Sequence, residues 1–193
     1  MQPVGEPYTN FSSLPPSPRF NKVDLVLVLD NLRSTLNVGS IFRTADGGGV
    51  AHVYCCGTTP TPEHPKIKKS SLGAELSTAW SLHRNAVDLV LQLKQAGNII
   101  VALESTKHSI SLFERKPVPG SESMALIVGN EISGIDPEIL AVADEILAIP
   151  MSGSKVSLNV AVSAGIAIYT LLNQYPDQHP ENNQVKFSGQ EIL

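Results

Sequence analysis

From residue 23 to about residue 174, short apolar runs alternate with stretches in which apolar residues recur every three or four positions. Val23 to Leu29 (VDLVLVL) is rich in β-branched residues and leucine and predicts a strand. Asn37 to Asp46 predicts a helix, Gly47-Gly48-Gly49 its stop, and Ala51 to Cys55 a second strand. His83 to Gln95 carries Ala86, Val87, Leu89, Val90, Leu91 and Leu93 at helical spacing and ends at Gly97. Asn98 to Leu103, Met124 to Val128 and Glu145 to Ile149 are further strands, the last two separated by a helix that opens at Asp136-Pro137. Ser157 to Asn173 closes the pattern as a long helix, apolar nearly all round and therefore buried on more than one side.

Strands alternating with helices imply the α/β class: a mostly parallel sheet with helices on both faces. Ligands of such sheets bind outside the carboxyl ends of the strands, which directs attention to the loops after Leu29, Leu103, Val128 and Ile149. The first twenty residues hold five prolines and no periodic apolar pattern, so residues 1–20 read as an extended arm. Residues 21–174 read as one domain, and 175–193, polar with Pro176 and Pro180, as a tail.

Composition narrows the class. Of 193 residues 42% are apolar and 17% charged, which excludes a disordered chain. No run approaches the roughly 20 apolar residues of a spanning helix, and no secretory signal opens the chain, so no membrane association and a cytoplasmic location are expected. Cys55 and Cys56 are adjacent, which disfavours a disulfide between them, and they read as small residues of a buried strand; no metal is expected. The net charge of -4 weighs against a polyanionic partner. Residues 31–70 reverse that balance locally, with Arg33, Arg43, Lys66, Lys68 and Lys69 against Asp46 and Glu63.

Common nucleotide fingerprints are missing: the glycine triplet follows a helix, not a strand, and no P-loop lysine motif exists. Three other stretches carry chemistry. In Leu29 to Ala45, Asn37 suits a helix cap, and Arg43, six residues on, can lean back toward the helix start; a surface salt bridge is its bland alternative. In Ile127 to Ile135, Gly129 permits close backbone approach and Glu131 sets a carboxylate beyond a strand end. In Ile149 to Val160, Ser157 suits a helix cap and Asn159 the first turn. Each alone is equally consistent with capping or turn formation.

Together, N-x-G-x-x-x-R at Asn37 to Arg43, G-N-E-x-x-G at Gly129 to Gly134, and I-P-M followed by S-L-N-V at Ile149 to Val160 resemble the SpoU-type (TrmH-like) branch of the SPOUT superfamily of RNA methyltransferases, over about Val23 to Gln174. The resemblance implies a C-terminal trefoil knot, an exception to the rule against knots. It also implies a homodimer with active sites near the subunit interface, the final helix packing against the other subunit. The implied cofactor is S-adenosylmethionine, contacted by Leu103, Gly129, Ile149, Ser157 and Leu158. The implied reaction is methyl transfer to a ribose 2'-hydroxyl of RNA, activated by Arg43 with Asn37, Glu131, Ser157 and Asn159 positioning it and the ribose.

An arginine is a poor base, since its pKa exceeds about 12, so Arg43 is read as holding an RNA phosphate and stabilising the developing alkoxide. By resemblance Lys66, Lys68 and Lys69, with Arg33 and Arg43, line the RNA path. The short N-terminal arm favours transfer RNA over ribosomal RNA. The alternatives are the same chemistry on ribosomal RNA, or a catalytically silent RNA-binding relative.

Overall fold

The computed structural model describes residues 23–120 and 123–175. The expected arm, residues 1–20, and the tail beyond Tyr175 lie outside the described residues. The strands among the described residues are Asp24–Asp30 (β1), His52–Cys56 (β2), Trp80–His83 (β3), Ile99–Leu103 (β4), Ile110–Ser111 (β5), Ser123–Val128 (β6) and Glu145–Ala148 (β7). The helices among the described residues are Thr35–Gly48 (α1), Pro65–Ser71 (α2), Ala74–Ser77 (α3), Ala86–Gln95 (α4), Pro137–Val142 (α5) and Val160–Asn173 (α6).

Every strand pair is parallel, in the order β3-β2-β1-β6-β4-β7-β5. β1 and β6 lie inside the sheet, which is why their sequences are nearly unbroken apolar runs rather than alternating ones. One core packs Val38, Ile41 and Phe42 of α1 and Ile168 and Leu171 of α6 against one sheet face. The other packs Leu89 and Val90 of α4 and Ile139 of α5 against Val28, Ile100 and Ile127. The chain moves outward from β1 to β3 and then crosses to β4 on the other side, so the sheet reverses its winding direction near β1 and β6, where ligands of such sheets bind.

The expected strands and the proline-led α5 are present, and several boundaries differ. Trp80 to His83 is a strand, so α4 begins only after Asn85, whose side chain accepts from the Val87 and Asp88 amides. β5, α2 and α3 are too short to show a period, and sequence reading missed them. Of the glycine triplet only Gly49, at φ +69°, is a helix stop; Gly48 lies inside α1, where a Cβ would stand 2.9 Å from Ile168, so it lets α6 pack close. Tyr175, assigned to the tail, is held in place: Arg115 and the Val118 amide both donate to its hydroxyl.

Candidate active site

Three loops at the carboxyl ends of β4, β6 and β7 wall a cleft of about 440 Å³. Its lining includes Leu103 and Glu104 after β4, Gly129 and Glu131 after β6, and Ile149, Ser157 and Leu158 after β7. Sequence reading singled out six of those seven. A Cβ on Gly129 would stand 2.6 Å from the Gly134 carbonyl oxygen, so the turn after β6 can fold back on itself only around glycine.

The caps differ from expectation. Ser34, not Asn37, caps α1, its hydroxyl accepting from the Asn37 amide at 3.3 Å. Asn159, not Ser157, caps α6, its Oδ1 accepting from the Ala161 and Val162 amides. Asn37 therefore lies in the first turn of α1 with its carboxamide free of capping, and Ser157 lies two residues before the α6 cap. Asn37 Nδ2 donates to Glu131 Oε1 at 2.9 Å, and its Oδ1 accepts from Asn159 Nδ2 at 3.0 Å. Glu131 also accepts from the Arg33 and Ser34 amides. One polar chain thus runs through all three motifs along the cleft edge. Burial alone would push the Glu131 carboxyl up, but its hydrogen bonds, led by that from Asn37, outweigh this and hold it below the usual carboxylate range.

A second network, given no role in the sequence reading, fixes the β1 end. The Asn31 backbone, in the left-handed region at φ +54°, turns the chain toward Glu131, and its carbonyl accepts from Asn130 Nδ2 at 2.7 Å. Buried Asp30 accepts from Asn31 Nδ2 and from the Asp136 amide; its carboxyl is pushed up by burial, the two hydrogen bonds opposing. The signal available in the sequence was position: polar residues directly after a buried strand.

The structure does not bring Arg43 to this cleft. It is exposed and makes no ion pair or hydrogen bond to a described residue, so the surface salt bridge is not formed either. Six residues advance the helix by about 600°, which turns Arg43 some 120° away from Asn37. Arg43 shares the outward stripe of α1 with Leu36, Ser40 and Gly47, beside an open groove between α1 and α6 lined by Leu36, Ser40, Thr44, Val162 and Gly165. Lys66, Lys68 and Lys69 are exposed on helix α2 rather than on a loop, with Ile67 buried beneath them. Arg33 is exposed between β1 and α1. Cys55 and Cys56 are buried free thiols, each pushed up to about 12 by burial.

Residues 24–169 match the model of the SpoU rRNA Methylase family. The chain is 34% identical over 157 residues to a tRNA (guanosine(18)-2'-O)-methyltransferase of Aquifex aeolicus, covering 78% of this chain and 70% of that one. It is 35% identical over 146 residues to the 23S rRNA (guanosine(2553)-2'-O)-methyltransferase RlmP of Bacillus subtilis, covering 76% of this chain but only 57% of the relative. Its fold is similar to that of an AdoMet-bound rRNA methyltransferase from Sinorhizobium meliloti, with a TM-score of 0.71 and 25% identity over 79% of this chain and 57% of that one. With the second and third motifs lining one cleft, Asn37 of the first hydrogen-bonded to both, and the family model spanning nearly all of the described fold, the chain belongs to the SpoU methylase family.

Proposed function

We propose that this protein transfers a methyl group from S-adenosylmethionine to a ribose 2'-hydroxyl of RNA. The observation that carries the reading is the convergence of Glu131, Asn37 and Asn159, from three distant stretches, on the rim of a cleft that Ser157 and Leu158 also line. The cleft fits the cofactor chemically. Leu103, Ile149 and Leu158 offer apolar walls for a flat base, and Glu104 and Glu131 offer negative charge toward a sulfonium, with no basic side chain among the lining residues. S-adenosylmethionine, when bound, supplies an electrophilic methyl group.

The remaining work falls to the protein. Leu103, Gly129, Ile149, Ser157 and Leu158 hold the cofactor, largely through backbone groups. Glu131 fixes Asn37 and the β1–α1 turn, and Asn37 and Asn159 orient the ribose. Arg43 holds an RNA phosphate and stabilises the alkoxide that forms as the 2'-hydroxyl loses its proton. Arg33, Lys66, Lys68 and Lys69 carry the RNA path.

Arg43 does this from a second copy of the chain. Leu36 of α1 and Val162 and Tyr169 of α6 are each more than half exposed beside it, an apolar stripe that fits a homodimer interface. The passage of the chain from β7 through the loop to α6 is read as the trefoil knot. Among the described residues no helix is long and apolar enough to cross a membrane, and the reading places the enzyme with its RNA in the cytoplasm. Transfer RNA is favoured over ribosomal RNA: the Aquifex aeolicus relative, more of whose length this chain covers, is named for tRNA.

The test is methyl transfer from labelled S-adenosylmethionine to unmodified tRNA and to rRNA fragments. Arg43→Ala should abolish transfer while calorimetry shows the cofactor still bound. A near wild-type rate in that variant overturns the role of Arg43, and an inactive wild type that binds no cofactor overturns the whole reading.

A further inference from the structure

Glu104 is a carboxylate in the cleft wall that belongs to none of the three motifs and to which the proposed reaction assigns only its charge, with no hydrogen-bonding partner on the cofactor. It stands directly after β4, and its amide donates to the Leu147 carbonyl at 2.9 Å, continuing the parallel pairing of β4 with β7, so its backbone is fixed by the sheet. Its side chain joins two walls of the cleft: Oε1 accepts from the Ser105 amide at 3.0 Å and Oε2 from the Ile135 amide at 3.1 Å. An ionised carboxylate has about four acceptor sites, so each oxygen keeps one. Glu131, the other carboxylate of the cleft, already takes three donors from Arg33, Ser34 and Asn37.

We infer that Glu104 binds the vicinal 2'- and 3'-hydroxyls of the cofactor's adenosine ribose, one on each carboxylate oxygen. The inference rests on the methyltransferase reading and adds to it the group that selects a ribonucleoside. Two side-by-side acceptors on a rigid strand end match a pair of neighbouring hydroxyl donors. In other parallel sheets that bind nucleotides, a carboxylate takes the ribose hydroxyl in the same way. The two carboxylates, unopposed by any basic lining residue, would repel a phosphate at this place, so the occupant is a nucleoside without one.

The test is calorimetry with S-adenosylhomocysteine and its 2'-deoxy and 3'-deoxy analogues, against the wild type and Glu104→Gln. Wild type should lose at least about tenfold in affinity for each deoxy analogue, the worth of one hydrogen bond to a charged group. Glu104→Gln should bind S-adenosylhomocysteine at least about tenfold more weakly and discriminate less against at least one deoxy analogue. Wild type that binds all three ligands alike overturns the inference without touching the methyltransferase reading, and so does a variant that weakens all three by one common factor. Wild type that binds neither S-adenosylmethionine nor S-adenosylhomocysteine overturns both.

Discussion

Asn37 donates through Nδ2 to Glu131 Oε1 at 2.9 Å, across 94 residues of chain. The same carboxamide accepts from Asn159, 122 residues away, so a single side chain couples the turn after β1 to those after β6 and β7. Glu131 is the anchor of the group, since Asn37 Nδ2 and the Arg33 and Ser34 amides all point at its two oxygens. Glutamine has one acceptor oxygen and sets an NH₂ against donors. Glu131→Gln should therefore lower the methyl-transfer rate by at least about tenfold while the fold persists. An unchanged rate shows that the chain does not position the reaction.

The same carboxylate sets an acid limit. Its folded pKa lies below the ordinary 4.5, because its hydrogen bonds outweigh the effect of burial. A depressed carboxylate pKa contributes stability that is fully present above the unfolded value and is lost as pH falls through the folded one. Below about pH 4.5 the contribution of Glu131 to unfolding temperature and cofactor affinity should be lost, so both should fall less steeply with acid in Glu131→Gln than in the wild type. Parallel pH profiles for the two proteins would remove Glu131 as the group responsible.

Much of this was legible in the chain. β1 and β6 are recognisable because a strand buried on both faces needs an unbroken apolar run. The caps were not. Ser34 and Asn37 are both good caps three residues apart, and the choice between them is made by Glu131, which lies too far along the sequence for a local pattern to register. Likewise the phase of α1 already separates Arg43 from Asn37, but which helices flank each side is a tertiary fact, visible only once α6 lies along α1. Glu104 escaped notice because a single carboxylate after a strand resembles any solvated loop residue.

Gly39 is where α1 and α2 meet. A Cβ there would run into the Ser70 hydroxyl and stand 2.7 Å from the Ile67 carbonyl oxygen, which is backbone and cannot swing aside. Gly39→Ala should cost about 1 to 3 kcal/mol in urea unfolding, as for other overpacked interiors, and should weaken RNA binding by moving the helix that carries Lys66 and Lys69. A variant as stable as wild type would show that α2 shifts without cost.

Arg115 is buried and bidentate to Glu145, at 2.6 and 3.0 Å, and donates to Gln174 and Tyr175 at the end of α6. Arg115→Met leaves the mostly buried Glu145 without its partner and should destabilise by about 3 kcal/mol. The double change Arg115→Met with Glu145→Leu should recover part of that loss, since removing both charges strands neither. Equal stability of the single variant and wild type in urea would mean that the ion pair does not hold the end of α6.

Lys66, Lys68 and Lys69 stand on a helix and not on a free loop, which makes their contribution to RNA binding sharper to test. Ile67 fixes the helix from beneath while the three lysines are exposed on it, so they can be neutralised without unfolding a core element. Each phosphate contact contributes about 0.7 to 0.9 to the slope of log affinity against log salt. Replacing all three lysines with glutamine should reduce that slope by about 2 to 3 and weaken RNA binding most at low salt, with cofactor affinity unchanged. A slope that stays at its wild-type value in the triple variant would move the RNA path away from α2, leaving Arg33 and Arg43 to define it.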